Sequence, residues 1–326
     1  MKALLCSEYG PPHKLAVQDI PSPEAGPGQV VIDVKASALN FPDALMVQGL
    51  YQVKPPLPFS PGAELAGLIK EIGEGVQGLK VNDRVIAFPG FGGFAEECAV
   101  TAERIMPLPE GMDFATGAAL VLTFGTSLHA LQDCGRLLPG ETLLVLGAAG
   151  GVGAAAIEIG KAMGARVIAA ASSADKLDLC KRLGADETIN YAAEDLRKRT
   201  LELTSGKGAD VVYDPVGGDY TESALRATAW HGRLLIIGFA TGEIPKIPLN
   251  LALLKERQLI GVYWGESVRH DPRGHVRNMQ QLMAWFTERK INPFVSEQLP
   301  LTQAPEAIAR LLARKVMGKI VILPEA

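Results

Sequence analysis

The sequence predicts an α/β protein with two parts, a mostly antiparallel β-domain and a domain built on a doubly wound parallel sheet. Three observations predict this fold class. Residues 30–37 alternate with period two, residues from about 141 to 260 repeat a strand-then-helix rhythm, and glycines cluster where one strand meets one helix.

The N-terminal part, up to about residue 120, has the pattern of short strands joined by turns. The alternation over residues 30–37 is typical of a half-buried strand. Proline- and glycine-rich turns recur at residues 21–23, 26–28 and 55–58, and residues 71–76 have the pattern of strand, tight turn and strand. These features favour a small antiparallel β-domain.

The middle part alternates strands with helices. Residues 142–146 form a continuous apolar run, typical of a strand buried on both faces of a parallel sheet. The same pattern predicts helices at residues 151–163 and 174–183 and further strands at residues 166–171, 209–213 and 233–237. Strands linked by crossover helices run parallel, which predicts a doubly wound sheet.

After about residue 260 the pattern is less regular. It predicts helices over residues 276–289 and 304–314 and a last strand over residues 319–323. The residues themselves leave open whether this tail is a small third unit or returns to the first domain.

Length and charge limit the function classes. The 326 residues suit two domains, and 32 Lys and Arg against 36 Asp and Glu give a net charge of −4, which argues against nucleic acid as a partner. The four cysteines form no C-x-x-C pair, and we find neither a signal peptide nor a stretch apolar enough to cross a membrane. We therefore expect a cytoplasmic protein with free thiols and no membrane partner.

The glycine cluster lies between the first strand of the middle part and its helix, in the segment Gly147–Gly153. A dinucleotide pyrophosphate needs a tight turn, close backbone approach and a helix N-terminus directed at it. Gly150 suits the close approach and Gly153 the tight packing of helix on strand, although Ala148 replaces the first glycine of G-x-G-x-x-G. The alternative is a glycine-rich turn in a flavodoxin-like or ligand-free sheet. We predict a pyrophosphate-binding loop that comprises Ala149, Gly150, Gly151 and Val152.

The end of the second strand of this domain indicates which dinucleotide binds. An NAD site usually has Asp or Glu here for the ribose 2′-hydroxyl, but this strand ends in alanines followed by Ser172 and Ser173. With Lys176, and with Tyr191 further along, these side chains suit a 2′-phosphate, so we expect NADPH. Alternatively, the two serines cap the next helix and Lys176 is merely solvated.

The whole chain resembles the medium-chain dehydrogenase/reductase superfamily and, within it, the zinc-free quinone oxidoreductases. The matching motifs are Pro61–Gly67, Gly73–Val76, Asp83–Val85, Gly92–Glu96, Ala148–Gly153, Gly184–Asp186 and Tyr213–Gly218. The resemblance implies a GroES-like catalytic domain (1–122), a Rossmann domain (123–262) and a C-terminal segment (263–326) that returns to the catalytic domain. It also implies a homodimer or tetramer.

The resemblance bears on zinc as well. Alcohol dehydrogenases of the superfamily hold a catalytic zinc, but the cysteine ligand would fall on Asn40 and the histidine ligand on Ala63, beside Glu64. Neither Asn40 nor Ala63 is a normal zinc ligand, and the four-cysteine structural lobe is missing. We therefore expect no metal site.

The resemblance also assigns site residues. It implies that Asn40 lies near the nicotinamide ribose and the catalytic cleft, that Asp43 helps to shape this cleft and that Tyr51 presents its hydroxyl to a substrate oxygen, which makes these three the candidate catalytic residues. Further cofactor contacts are implied for Thr126, Gly238, Phe239, Ala240, Tyr263, Trp264 and Lys319, the last approaching the 2′-phosphate or the cofactor edge.

Each assignment has a structural alternative. Asn40 could be a turn residue, Asp43 a carboxylate at a helix N-terminus and Tyr51 a packing residue. Thr126 could cap a helix, and Phe239 and Trp264 could be core aromatics.

The expected activity is metal-free hydride transfer from NADPH to a quinone or similar electrophilic carbonyl acceptor. An enoyl-thioester or enone reductase is the alternative, because Gln48–Tyr51 fits those relatives too and Arg269, Arg273 and Arg277 could meet the phosphates of a CoA ester. A low-turnover, crystallin-like NADPH-binding protein is a third possibility.

Overall fold

The computed structural model describes residues 1–325, which group by their contacts into two units. Residues 1–122 and 293–325 form the first unit, and Thr123–Asn292 forms the second. The first is rich in antiparallel strands and the second is a parallel sheet with helices, so the predicted fold class is confirmed.

The strands of both units, in chain order, are β1 Lys2–Leu5, β2 Ala16–Asp19, β3 Gln29–Ala38, β4 Glu64–Ile72, β5 Arg84–Ala87, β6 Glu97–Thr101, β7 Ile105–Pro107, β8 Thr142–Val145, β9 Arg166–Ala171, β10 Glu187–Asn190, β11 Ala209–Asp214, β12 Thr228–Ile236, β13 Gln258–Gly261, β14 Val295–Pro300 and β15 Lys319–Leu323.

The α-helices are α1 Phe41–Met46, α2 Phe114–Ala118, α3 Val121–Leu128, α4 Gly151–Ala162, α5 Ala174–Arg182, α6 Leu196–Leu203, α7 Asp219–Arg226, α8 Asn250–Leu253, α9 Trp264–His270, α10 Pro272–Thr287 and α11 Ala304–Leu312. A π-helical segment, His129–Cys134, directly follows α3. Within residues 1–325, every helix is too short or too polar to cross a bilayer.

The main sheet of the first unit has the strand order β14-β15-β3-β4-β5-β7, with β6 also paired to β3. Its pairs are antiparallel except for β14 and β15. Several apolar residues of β3 and β4, among them Ile32, Leu65 and Ile69, are fully buried. Because β15 pairs with β3 through Val321 and Ile322, the end of the chain completes a sheet that the N-terminal part begins.

The second unit is a six-stranded sheet in the order β10-β9-β8-β11-β12-β13, and every pair is parallel. β8 lies between β9 and β11, and its Leu143, Leu144 and Val145 are completely buried. A central strand covered on both faces has to be apolar throughout, which is why this strand was recognisable in the sequence.

The sequence boundary after residue 262 differs from the structure, because residues 263–292 group with the second unit. Helix α10 buries Met279, Leu282 and Trp285. Its Asn278 also exchanges hydrogen bonds with Gln132 and Asp133 of the π-helical segment. These contacts hold the helix in the unit that contains α3.

Two strands of the parallel sheet, β10 and β13, were not predicted from the sequence. Both are four-residue edge strands that carry polar residues and bury little of their surface. An edge strand lacks the apolar run of a central strand and therefore gives a weak sequence signal.

Gly153 in the first turn of α4 packs directly on the turn that follows β8. A Cβ atom there would collide with the carbonyl oxygen of Gly147 and come within 2.7 Å of the Ala148 Cα. The glycine therefore allows the helix to approach the strand closely, as the motif predicts.

We expect Gly153→Ala to lower the free energy of unfolding by about 1–3 kcal/mol, because the added methyl group meets backbone atoms that can yield only by moving the turn. Gly261→Ala is the control, since a Cβ there would have no atom within 4 Å. Urea unfolding of both variants checks this, and equal stability would contradict the tight packing.

Candidate functional site

A buried polar cluster lies in the first unit, where β3 ends and α1 begins. It consists of Asn40, Asp43, Glu64 and Lys319, all of which are less than a tenth exposed. The residues come from three places in the chain: the start of α1, the first residue of β4 and the first residue of β15. The pairing of β3 with both β4 and β15 brings them together.

Glu64 lies at the centre of the cluster. Its Oε1 accepts hydrogen bonds from Asn40 Nδ2 at 2.8 Å and Lys319 Nζ at 3.0 Å. Its Oε2 accepts the backbone N–H of Leu122 at 2.7 Å. Buried charges are stable only when paired and hydrogen-bonded, and the cluster satisfies this condition.

The donors of Asn40 and Lys319 are already used within the cluster. Asn40 Nδ2 donates to the Ala38 carbonyl and to Glu64. Lys319 Nζ donates to the Leu39 carbonyl at 2.9 Å, to Asn40 Oδ1 at 2.6 Å and to Glu64. An amide nitrogen has two N–H groups and an ammonium has three, so neither side chain retains a donor for a ligand.

Asp43 supports the start of α1. Its Oδ2 accepts the backbone N–H of Asn40 at 2.8 Å, and its Oδ1 accepts the N–H of Gly62 at 3.0 Å. Burial raises the pKa of Asp43 to about 7, although the two N–H donors and the Lys319 charge act in the opposite direction. Because its Oδ2 accepts the backbone N–H of Asn40, the carboxyl group of Asp43 positions Asn40.

The structure bears on three sequence predictions in this unit. Asp43 takes the helix N-terminal role that we gave as its alternative, and its oxygens are directed at the backbone. Lys319 was expected near the 2′-phosphate or the cofactor edge; its ammonium group is held in the cluster by an ion pair with Glu64, and its contact with a cofactor stays a prediction. Tyr51 is half-buried and packs against the core that includes Met46 and Phe59, so its catalytic role stays a prediction.

The glycine turn of the second unit, the predicted phosphate loop, leads directly into helix α4. Gly147 has a φ of +55°, and its carbonyl accepts the N–H of Gly150 at 2.9 Å. Gly150 then forms the N-cap of α4, followed by Gly151 and Val152 in its first turn. The first N–H groups of a helix have no partner within the helix and favour an anion, so residues 149–152 are suited to a pyrophosphate.

A buried hydroxyl pair fixes the start of α4. Ser127 Oγ donates to the Val152 carbonyl at 3.0 Å and lies 2.9 Å from the Tyr213 hydroxyl. Since Tyr213 lies on β11, this chain of contacts ties the phosphate loop to the neighbouring strand.

The four residues predicted to select the dinucleotide lie around the carboxyl end of β9, the strand beside β8. Ser172 and Ser173 follow directly, Lys176 lies one turn into α5 and Tyr191 follows β10. Lys176 Nζ is 3.4 Å from Ser172 Oγ, and the N–H of Tyr191 donates to the Ala171 carbonyl. Ser173 occupies the N-cap position of α5 without a capping hydrogen bond from its side chain. The capping alternative therefore does not account for Ser173.

The loops after β11 and β12 meet at the same end of the sheet. Asp214 Oδ1 accepts the N–H groups of Val216 and Gly217, and its Oδ2 accepts the Thr221 hydroxyl. The N–H of Ala240 donates to Pro215 at 3.0 Å, which places residues 238–240 (Gly238, Phe239 and Ala240) beside this loop.

Three further predicted cofactor residues lie in the second unit. Thr126 is half-buried within α3 and does not cap it. Tyr263 is 48% exposed at the N-cap of α9. Trp264 is buried against Gly125 and packs edge-on to His275, so its ring is a core aromatic and only its backbone is suited to a cofactor.

Sequence reasoning did not identify Glu64 or Asp214 as site residues. Both are buried carboxylates: Glu64 opens the mostly apolar strand β4, and Asp214 ends the apolar strand β11. A charge at the end of an apolar run was the available signal. Among residues 1–325, His, Cys, Asp and Glu form no group of three placed to hold a metal ion.

Known proteins share this architecture. Residues 26–110 match the family described as "Alcohol dehydrogenase GroES-like domain", and residues 151–286 match "Zinc-binding dehydrogenase". The chain is 38% identical to "Quinone oxidoreductase-like protein 2 homolog" of Nematostella vectensis over 98% of this chain and 88% of that protein.

Two solved structures are also similar. The Escherichia coli quinone oxidoreductase complexed with NADPH has a TM-score of 0.92 at 28% identity, with 99% of this chain and 100% of that chain covered. The CurK enoyl reductase has a TM-score of 0.89 at 27% identity, with 99% of this chain and 98% of that chain covered.

Stability should depend on pH through Asp43. The pKa of this carboxyl is about 7 in the folded protein against 3.8 for a free carboxyl, so folding takes up a proton between these pH values. The free energy of unfolding should therefore fall as the pH rises from 4 to 7. Asp43→Asn has no carboxyl group to titrate, so the free energy of unfolding of the wild type relative to this variant should drop by about 2.5 kcal/mol between pH 5 and pH 8.

Urea unfolding at the two pH values measures this difference. Asp113→Asn, which changes an exposed capping carboxylate of the same unit, is the control. A difference between wild type and Asp43→Asn that is the same at both pH values would refute the assignment.

Proposed function

Since the chain belongs to the quinone oxidoreductase-like branch of the medium-chain dehydrogenase/reductase superfamily, and is therefore an oxidoreductase, we propose that it transfers a hydride from NADPH to a quinone or a similar electrophilic carbonyl acceptor without a metal. The observation that carries this proposal is the closed hydrogen-bond network of Asn40, Glu64 and Lys319.

The network supports metal independence. Zinc is implied by the name of the matched family, but the residues at the expected ligand positions are Asn40 and Ala63. Asn40 and Glu64 direct their oxygens at the ammonium group of Lys319, so a cation already occupies the position between them. These residues do not fit zinc. An acceptor reduced without a Lewis acid has to be electrophilic already, as a quinone is.

The second unit supports NADPH as the cofactor, which supplies the hydride when bound. Residues 149–152 would hold its pyrophosphate. At the end of β9, where a carboxylate would select NADH, the chain has the hydroxyls of Ser172 and Ser173 together with Lys176 and Tyr191. An ammonium and hydroxyl groups suit a phosphate dianion. The solved Escherichia coli relative is a complex with NADPH.

The first unit restricts which residues can act on the acceptor. Neither Asn40 nor Lys319 can donate to a developing oxyanion, because the N–H groups of both side chains are used within the cluster. Tyr51 is the remaining predicted donor, and a quinone acceptor makes it dispensable because the reduced oxygens can take protons from water.

Reduction of an enoyl thioester is the second candidate function, favoured by the likeness to the CurK enoyl reductase and by the segment Gln48–Tyr51. The basic cluster considered for a CoA ester offers weaker support. Arg269 pairs with Glu266, and Arg277 lies 3.8 Å from Asp271. We therefore favour a quinone as the acceptor.

A cytoplasmic location and assembly into a homodimer or tetramer stay predictions.

Lys176→Ala should weaken NADPH binding by about 10- to 100-fold and leave NADH binding nearly unchanged, because it removes a charge-assisted hydrogen bond worth about 1.5–3 kcal/mol. Lys181→Ala is the matched control, since Lys181 is an exposed lysine of the same helix. Fluorescence titration with both cofactors measures the dissociation constants. Equal losses for NADPH and NADH would show that Lys176 does not contact the 2′-phosphate.

The reaction is tested with EDTA-treated protein, NADPH and two acceptors in parallel, a naphthoquinone and crotonyl-CoA. We expect quinone turnover that survives EDTA, and a change of less than about threefold in Tyr51→Phe, because general acid catalysis, worth about 10²–10⁴-fold, is not needed for a quinol. Tyr9→Phe is the matched control in the same unit.

Other outcomes would replace the proposal. Preferential turnover of crotonyl-CoA with a loss of 100-fold or more in Tyr51→Phe would establish the enoyl reductase with Tyr51 as its acid. Tight NADPH binding without turnover of either acceptor would indicate the low-turnover binding protein.

A further inference from the structure

We propose that Cys134, His129 and Asp133 form a nucleophilic thiol site in the second unit that reacts with soft electrophiles of the Michael-acceptor class. The site is separate from the residues assigned to NADPH, and its reaction requires neither cofactor nor hydride transfer.

The three side chains have the arrangement of a nucleophile, a base and a group that orients the base. Cys134 Sγ lies 3.4 Å from His129 Nε2, and His129 Nδ1 lies 2.8 Å from Asp133 Oδ2. A sulfur contact may be longer than an oxygen contact, so both distances fit hydrogen bonds. The imidazole therefore bridges the thiol and the carboxylate.

The π-helical segment His129–Cys134 produces this arrangement. In an α-helix, residues five apart point about 140° away from each other. The wider π turn closes through a bond between residues five apart, so Cys134 comes to lie beside His129. Asp133, four residues after His129, lies on the same face. Single π turns occur frequently at functional sites.

A second element fixes the carboxylate. Asn278 of α10 is 6% exposed, and its Nδ2 donates to Asp133 Oδ2 at 2.8 Å. Its Oδ1 in turn accepts a hydrogen bond from Gln132 at 3.1 Å. The same Asp133 oxygen thus receives bonds from His129 and Asn278, which holds the imidazole in one orientation.

A positive charge lies beside the sulfur. Hydrogen bonds with Asp133 and Cys134 raise the pKa of His129 to about 9, so the ring is an imidazolium at neutral pH. The distance of 3.4 Å between His129 Nε2 and Cys134 Sγ places this cation in contact with the nucleophilic atom. The Cys134 side chain is only half-buried, which leaves it within reach of a reagent.

The other cysteines provide an internal comparison. Cys6, Cys98 and Cys180 are buried, and burial raises the pKa of both Cys98 and Cys180 to about 12. A buried, protonated thiol is a poor nucleophile. Only Cys134 among the four therefore combines exposure with an imidazolium partner.

The reaction balances without an oxidant. The sulfur forms a bond to the β-carbon of the unsaturated carbonyl compound, and the π electrons of the double bond move to the carbonyl as an enolate. The proton that the thiol gave to His129 Nε2 then protonates the enolate. The product is a thioether that retains every atom of both reactants.

The experiment measures the rate of N-ethylmaleimide addition at pH 6.5 to the full chain, with peptide mapping by mass spectrometry. We expect Cys134 to react on the order of tenfold faster than N-acetylcysteine, because the oriented His129 ring lies within hydrogen-bond distance of the sulfur and can move its proton. Cys6, Cys98 and Cys180 should stay unmodified. Modification of Cys134 no faster than N-acetylcysteine would overturn the proposal without reference to any variant.

Variants then separate activation from simple exposure. His129→Gln and Asp133→Asn should slow the labelling of Cys134 by about tenfold, whereas Asp178→Asn on the surface of α5 should not. Unchanged labelling in both His129→Gln and Asp133→Asn would refute the role of the imidazolium. Cys134→Ser should abolish labelling and retain NADPH oxidation, so a failure of the reductase proposal would not affect this test.

Discussion

The first unit depends on one buried ion pair. Glu64 and Lys319 are 255 residues apart in the chain, and their side chains are 0% and 5% exposed. Taking two charges out of water costs several kcal/mol each, and removing one partner would leave the other uncompensated. The pair is tolerated because Leu39, Asn40 and Leu122 supply the remaining hydrogen bonds. Since Lys319 lies on β15 and bonds both Asn40 and Glu64, the observed orientation of Asn40 depends on β15 being in place.

In the second unit, backbone groups have the corresponding importance. The turn after β8 is proposed to present N–H groups to a pyrophosphate, and a side chain at Gly153 would prevent the close approach of α4 to this turn. The Asp214 carboxylate accepts hydrogen bonds from the loop after β11, and the Ser127 hydroxyl, which contacts the Tyr213 hydroxyl, donates to the Val152 carbonyl in the first turn of α4. The side chains proposed to distinguish one dinucleotide from another lie elsewhere, at the end of β9. The groups proposed for binding and for selectivity thus lie in different parts of the same sheet edge.

The π-helical segment shows how a small change in helix geometry creates chemistry. In a regular α-helix His129 and Asp133 would share a face, but Cys134 would point about 140° away from His129, and the three side chains could not form one chain of hydrogen bonds. The sequence of residues 129–134 taken alone does not indicate a π turn. The turn is stabilised by Asn278 of α10, more than a hundred positions later in the chain, which hydrogen-bonds with Gln132 and Asp133.

The sequence by itself determined the fold class, the central strands, the glycine turn and the serines and lysine after β9, because these depend on local periodicity and on short spacings. The tertiary structure decided the rest. The edge strands β10 and β13, the grouping of residues 263–292, the commitment of Lys319 to Glu64 and the positioning role of Asp43 all depend on contacts between residues distant in the chain. A hydrophobic pattern reports whether a residue is buried, but the partner of a buried charge is fixed only when strands from both ends of the chain meet in one sheet.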